Sequence, residues 1–269
     1  MSTQYDNIQA PYDYIRTKTI AVIEHDNVHT TIAPYIKDAR VLEFACGSGF
    51  YTFSFLKWGA SSVVGVDLSH NMIEEARRKG EQSEVGKERA TKDVKFVVGD
   101  GSQPVTYEGG NFDVVFGAWF LNYASDRAGL VDMFRNICMN LRSGGHFISV
   151  TCPPTSNPSA SLEAEFHARP PPEGSGALYY NKINDVKDGI YFHVHGKTPI
   201  GDVAFDCYHL KQEVYEQAAR EAGLTGQLSW GVTRVPDRYL EGEGLGGASI
   251  KELQTYLTVP NYGLLVVGK

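Results

Sequence analysis

The chain has 269 residues, 42% of them hydrophobic, with a formal net charge of −7. That length fits one large domain, or one domain carrying a substantial insertion, and the apolar share is ample for a single core. An acidic balance without a long basic run excludes the electrostatic footprint of a nucleic-acid binder, and no apolar stretch approaches the roughly 20 residues of a membrane-spanning helix. Met1–Arg16 is polar and aromatic, without the apolar centre of a signal peptide. Cys46, Cys138, Cys152 and Cys207 lie far apart and form no Cys-x-x-Cys pair. They read as reduced thiols of a cytoplasmic protein, neither a disulfide frame nor a zinc site, and no metal is expected.

In chain order, apolar positions at Ile15, Ile20, Val22, Ile23 and Val28 predict a half-buried helix over about Tyr14–Ile36. A first strand at Arg40–Phe44 runs into the short loop Gly47-Ser48-Gly49 and a helix at Gly49–Trp58. A second strand, Ser62–Asp67, precedes Ser69 at a helix-cap position and a helix over Met72–Lys79. Residues 80–92 are charged and read as a solvated helix end and loop. A third strand, Val94–Val98, closes on Gly99-Asp100-Gly101, and a fourth covers Phe112–Phe116. A helix at Arg127–Leu141 leads through Arg142-Ser143-Gly144-Gly145 into a fifth strand, Gly145–Val150. Strands alternating with helices at this spacing predict a doubly wound parallel α/β sheet.

Beyond Val150 the texture changes. Pro153-Pro154 and Pro170-Pro171-Pro172 punctuate a segment rich in Ser, Gly and His, followed by β-like runs at Gly189–His195 and Val203–Leu210. Thr151–Ile200 is expected to be an insertion lying over the carboxyl edge of the sheet, where ligands bind in such folds. A helix at Lys211–Ala222 and a strand at Tyr262–Val267 are expected to finish the sheet. The organisation expected is therefore an N-terminal helical arm (1–36), a core (37–150), a substrate cap (151–200) and a C-terminal completion of the sheet (201–269).

Several features converge on one crevice. Glu43 precedes Gly47-x-Gly49 after the first strand. Glycine lets a ligand approach bare backbone, and a carboxylate just ahead of it points to a ligand bearing a cationic group. Asp67 ends the second strand, where a carboxylate can accept two ribose hydroxyls, and Asp100 ends the third, where one can accept from an exocyclic amine. Phe116-Gly117-Ala118-Trp119-Phe120 ends the fourth. Singly, such residues are turns or helix caps; together, at the ends of consecutive parallel strands, they mark a ligand site. The third glycine of a dinucleotide fingerprint is missing, because position 52 is Thr52.

Glu43 through Tyr51, with Val64-Gly65-Val66-Asp67-Leu68-Ser69, Val97-Val98-Gly99-Asp100-Gly101 and Leu141-Arg142-Ser143-Gly144-Gly145, resembles the class I S-adenosylmethionine-dependent methyltransferases over about Arg40–Val150. Within them, Tyr5-Asp6-Asn7-Ile8 and Tyr12-Asp13-Tyr14 resemble the tyrosine-bearing arm of small-molecule enzymes of the UbiE and toxoflavin-synthase type. The resemblance implies a Rossmann-like, mostly parallel seven-stranded sheet with a cap insertion after strand five. It implies that Ala45, Gly47 and Gly49 approach the methionine half of S-adenosylmethionine, with Glu43 and the Ala118 carbonyl near its ammonium. Asp67 then takes the ribose, Leu68 and Met72 flank the adenine, and Asp100 and the Gly101 amide face the adenine edge. Tyr12 or Tyr14 closes over the cofactor, and Arg16 meets its carboxylate. Phe44-Ala45-Cys46 departs from the usual small run, and Cys46 reads as a packed structural thiol.

For the acceptor the sequence offers candidates of two kinds. His193 and His195 alternate on one strand face. They fit a solvated face, a base facing the acceptor, or, lacking a third ligand, less well a metal site. Glu163 and His167 fit an i, i+4 surface pair. Trp119, Tyr123, Tyr191 and Tyr208, with Asp206 nearby, are expected to line a pocket for a flat or apolar small molecule. The function expected is methyl transfer to O or N of an aromatic or heteroaromatic metabolite, of the kind found in secondary metabolism, by a monomer or homodimer. A cofactor-assisted cyclisation or rearrangement on the same fold, or a non-catalytic binding subunit, would show the same donor motifs.

Overall fold

Strand β1 (Arg40–Phe44) has a partner on each side. It pairs in parallel with β2 (Ser62–Asp67), Leu42 opposite Val64, and with β4 (Phe112–Ala118), Leu42 opposite Val115. Helices cover both of its faces, which is why the strand is apolar almost throughout, with Val41, Leu42 and Phe44 fully buried. The computed structural model describes residues 3–5, 8–82, 93–170, 178–241, 245 and 248–269. The readings made for residues 83–92, Asp6, Asn7, Pro171 and Pro172 fall outside them.

The sheet extends through β3 (Val94–Val98) on one side. On the other it runs through β5 (Leu141–Thr151), β10 (Gly263–Gly268) and β9 (Leu228–Val232), in the order β3-β2-β1-β4-β5-β10-β9. Only β10 runs antiparallel to its neighbours, so the sheet is the doubly wound, mostly parallel seven-stranded one the sequence implies. Strand order reverses between β1 and β4, and the crevice at their carboxyl ends is where such folds take ligands.

On one face, Val28 and Ile32 of α2 (Thr19–Ile36) and Phe55 of α3 (Phe50–Lys57) pack against Val41, Phe116 and Ile148. On the other, Phe134 and Ile137 of α5 (Arg127–Asn140) and Tyr215 and Ala218 of α7 (Gln212–Glu221) pack against Leu42, Val115 and Phe147. Ile73 and Ala76 of α4 (His70–Gln82) cover Phe96 of β3. Two further helices, α8 (Asp237–Leu240) and α9 (Ile250–Thr258), belong to a cluster in which Leu253 and Tyr256 meet Ile23 of α2. Among the described residues no helix is long and apolar enough to cross a membrane.

The cap follows β5. It opens with α6 (Pro158–Ala168), started by Pro158 and by the Asn157 side chain, which accepts from the Ala160 amide. Three antiparallel strands, β6 (Tyr179–Val186), β7 (Gly189–Thr198) and β8 (Gly201–Leu210), then form a separate sheet. The sequence reading closes the cap at residue 200 and gives 201–210 to the main sheet. Instead β8 folds straight back on β7, from Thr198 opposite Gly201 to Gly189 opposite Leu210. Gly201 supplies the positive φ of 139° that this tight return needs. The arm also differs from the single helix expected. Lys18 is extended (φ −80°, ψ 157°), which separates α1 (Gln9–Ile15) from α2 and lets α1 contact β7 and β8 of the cap.

Candidate active site

The loop after β1 is held by Asp67. Its Oδ2 accepts from the Gly47 amide at 2.8 Å and its Oδ1 from the Ser69 amide at 2.9 Å, joining the ends of β1 and β2. A Cβ on Gly47, at φ 53°, would meet nothing within 4 Å, so open crevice lies above that backbone. Gly49 plays another part. It starts α3 at φ 88°, where a Cβ would fall 2.7 Å from the Phe53 ring, and it does not line the crevice.

Of the residues the sequence assigns to the cofactor, Tyr12, Arg16, Glu43, Ala45, Gly47, Asp67, Leu68, Met72, Asp100, Gly101 and Ala118 surround one crevice of about 420 Å³. Tyr14 does not. Two residues along a helix turn about 200°, so with Tyr12 facing inward Tyr14 faces away, and its hydroxyl accepts from Lys18 Nζ at 2.8 Å. Glu43 is buried and accepts a hydrogen bond from the Thr52 hydroxyl. Burial, with Asp67 adding to it, pushes its carboxyl up to about 8 against the opposing pull of Thr52 and Arg16. Asp100 Oδ1 accepts from the amide and hydroxyl of Ser102, and Asn136 donates to the Gly101 carbonyl, which fixes the turn after β3.

A second, apolar chamber of about 110 Å³ adjoins the crevice; Tyr5, Tyr12, Arg16, Trp119 and Tyr123 line both. Trp119 follows β4 at φ 59°, a conformation costly for a large side chain, and its amide donates to the Val150 carbonyl at 2.7 Å. Tyr5 and Tyr123 share a hydrogen bond between their hydroxyls, bringing the arm onto the junction.

The cap roofs this chamber with one face of its sheet, and that face corrects five assignments. Phe192 and Val194 of β7 and Phe205, Cys207 and His209 of β8 point into the chamber. The alternate positions point away, because a strand's side chains alternate. These are Tyr191, His193 and His195 on β7 and Asp206 and Tyr208 on β8. His193 Nδ1 hydrogen-bonds Asp206 Oδ1 at 2.6 Å, and the Tyr191 hydroxyl donates to Asp206 Oδ2 at 2.8 Å. His195 meets Asn181, and Tyr191 packs on Tyr208 with ring centres 4.8 Å apart. Neither histidine is placed to act as a base on an acceptor in the chamber, and neither tyrosine lines it. The described residues also contain no cluster placed to hold a metal ion.

Sequence reasoning missed several residues at the site. Glu24 of α2 is 3% exposed; its Oε1 accepts from Arg16 and from the Tyr51 hydroxyl, both at 2.7 Å, and its Oε2 from Trp119 Nε1 at 3.0 Å. Asp13 accepts from Ser48 and Lys79, both at 2.6 Å, and so ties the arm to the glycine loop. Glu165 and Arg169 pair within the cap, with Asn261 also donating to Glu165. A Glu at an apolar helix position, as Glu24 is in the i, i+4 row of Ile20 and Val28, was the available signal.

Residues 41–145 match the family described as a methyltransferase domain. A ribosomal protein L11 methyltransferase of Neisseria meningitidis is 37% identical over 75 residues, 28% of this chain and 21% of that protein. The chain thus spans about a fifth of the length of that curated relative. Whole-chain likeness is structural. The CcbJ methyltransferase of Streptomyces caelestis superposes with a TM-score of 0.61 at 16% identity, over 99% of this chain and 98% of that one. An S-adenosylmethionine-dependent methyltransferase of Mesorhizobium loti gives 0.58 at 18%, over 90% and 96%. At these identities the likeness is one of fold alone.

Proposed function

We propose that the protein is an S-adenosylmethionine-dependent methyltransferase of the small-molecule, UbiE- and toxoflavin-synthase-like type. Its acceptor is a neutral, flat metabolite methylated at O or N. One observation carries this reading: the crevice opens through Tyr12, Arg16 and Trp119 into an apolar chamber whose charged lining residues are each paired, Arg16 with Glu24 and Glu165 with Arg169 behind it. A charged acceptor would lose its hydration there without gaining an unpaired partner.

The groups around the crevice fit the cofactor. Glu43 is a buried carboxyl awaiting a cation, and open space lies above Gly47 where a side chain would intrude. Glu43 and the Ala118 carbonyl would hold the ammonium, Arg16 the carboxylate, Asp67 the ribose, Leu68 and Met72 the adenine faces, and Asp100 with Gly101 the adenine edge. When bound, the sulfonium supplies an electrophilic methyl group. The chain's own work is to orient the acceptor and exclude water. Trp119 and Tyr123 form the walls between the two spaces, Phe192 and Phe205 press a flat acceptor from the cap side, and Tyr5 closes the junction.

Calorimetry with S-adenosylhomocysteine, followed by incubation of methyl-labelled S-adenosylmethionine with a panel of phenols and N-heteroaromatics, tests the proposal. Binding together with label in a phenol or ring-nitrogen product is the expected result. Absence of binding would overturn the cofactor reading, and product formed without label would replace methyl transfer with rearrangement.

A further inference from the structure

His209 is the last inward-facing residue of β8 and is only 3% exposed. It lines the chamber beside Cys207 and does not reach the crevice. Its Nε2 lies 2.9 Å from the Pro153 carbonyl oxygen. A carbonyl can only accept, so Nε2 carries the hydrogen, and a neutral imidazole then has a bare acceptor at Nδ1. Burial keeps the ring neutral, moving its titration down to about 4 while the Pro153 bond opposes this only in part.

Nδ1 has no hydrogen-bond partner among the described residues, yet among them no sealed side-chain nitrogen or oxygen lacks one. Nδ1 therefore keeps open surface, and in a residue otherwise buried that surface belongs to the chamber it lines. The polar neighbours are already engaged. The Asn122 amide nitrogen donates to Cys152 Sγ at 2.9 Å and to the Tyr208 carbonyl at 3.1 Å, and its oxygen accepts from Thr151 at 3.0 Å.

We infer that Nδ1 of His209 accepts a hydrogen bond from a neutral O–H or N–H of the acceptor, so that the chamber selects flat molecules carrying such a donor beside β8. This rests on reading the chamber as the acceptor site. A molecule without the donor leaves Nδ1 facing apolar surface, and an anion meets its lone pair; both are disfavoured. His209 is thus a specificity-determining residue that recognises the acceptor by a hydrogen the acceptor brings.

The test compares 2-naphthol with 2-methoxynaphthalene, which share a ring system and differ in the O–H. Both are titrated into the full chain loaded with S-adenosylhomocysteine, by calorimetry and by nitrogen NMR of histidine-labelled protein. Three results are expected. His209 reads as the neutral Nε2–H tautomer before any probe is added. 2-Naphthol binds about tenfold more tightly, the size of one net hydrogen bond, and shifts the Nδ1 resonance. His209→Gln, which keeps a donor for Pro153 but no acceptor at the Nδ1 position, folds like the parent and binds both probes equally; His209→Phe also removes the preference.

Equal affinities in the parent, a preference surviving in His209→Gln, an Nδ1–H tautomer, or failure of both probes to bind the loaded protein would each overturn the inference. Failure of S-adenosylhomocysteine to bind strikes the methyltransferase reading alone. The tautomer and the probe comparison then decide the role of His209 on the unliganded chain.

Discussion

The indole nitrogen of Trp119 donates to Glu24 Oε2 across 3.0 Å, joining the end of β4 to the middle of α2. The other oxygen of Glu24 holds Arg16 at 2.7 Å, in a pair whose side chains are 13% and 4% exposed. One carboxylate therefore fixes both the wall of the chamber and the cation at the mouth of the crevice. Removing its charge strands a buried guanidinium. Glu24→Gln should cost about 3 kcal/mol in urea unfolding. Trp119→Phe, which removes one hydrogen bond to a charged group, should cost about 2 kcal/mol. Glu24→Gln should also weaken S-adenosylhomocysteine binding, since Arg16 is released. A Glu24→Gln protein as stable as the parent would show that the pair is not a structural anchor.

Glu43 makes stability and binding depend on pH. Its carboxyl, ordinarily near 4.5, is pushed up to about 8 by burial, so the folded protein holds a proton that the unfolded chain releases. The sign follows: the neutral group's contribution is complete below about pH 4.5 and is lost as pH rises through about 8. The melting temperature of the unliganded protein should therefore fall more steeply over this window than that of Glu43→Gln. A ligand ammonium beside Glu43 favours the ionised carboxylate, so binding S-adenosylhomocysteine near neutral pH should release protons. Calorimetry in buffers of different ionisation enthalpy measures that release, and Glu43→Gln should abolish it. Equal release from both proteins would remove Glu43 from the ammonium site.

His193→Ala and His195→Ala should leave turnover and S-adenosylhomocysteine affinity near the parent values, because both side chains lie on the outer face of the cap. Phe192→Ala, between them in sequence but on the inner face, should raise the acceptor KM and leave the cofactor affinity in place. A large loss of turnover in either histidine variant, with Phe192→Ala silent, would mean that the cap strands present their other face to the acceptor.

That case shows where the sequence stops being informative. The two-residue period of His193 and His195 makes them share a face, and this much is legible. Which face is buried depends on what the sheet lies against, and a shift of one residue exchanges the two sets entirely. The core was easier to read, because Glu43, Asp67 and Asp100 lie at or just past the carboxyl ends of β1, β2 and β3, in an order that a parallel sheet brings to one edge. The cap boundary at residue 200 failed because a β-run says nothing about its partner: β8 had a local hairpin available and took it. Glu24 and His209 escaped notice for a related reason. The meaning of each comes from Arg16, Trp119 or Pro153, which are distant in the chain or on another element.

Asp67→Ala should weaken S-adenosylhomocysteine binding by about 1–3 kcal/mol through lost charge-assisted hydrogen bonds. It also frees the Gly47 and Ser69 amides, which its carboxylate now holds. A stability loss should therefore accompany the affinity loss. Asp67→Asn separates the two, since its amide oxygen can still accept from one amide while the charge is gone. Unchanged affinity in both variants would refute the ribose assignment.

Gly101→Ala tests whether the turn after β3 is shaped by packing. A Cβ at Gly101 would stand 2.8 Å from the Phe120 ring and 2.9 Å from the Phe44 ring. Those rings are stacked on each other, 5.1 Å apart and buried, so neither can swing aside. The backbone of Asp100-Gly101-Ser102 must yield instead, and the overpacking should cost about 1–3 kcal/mol of stability. Because the same turn carries the groups assigned to the adenine edge, S-adenosylhomocysteine affinity should fall with it. Phe120→Leu in the Gly101→Ala background makes room for the added methyl. If it restores affinity, the steric account holds; if stability returns while affinity stays low, the Gly101 amide itself must be the lost contact.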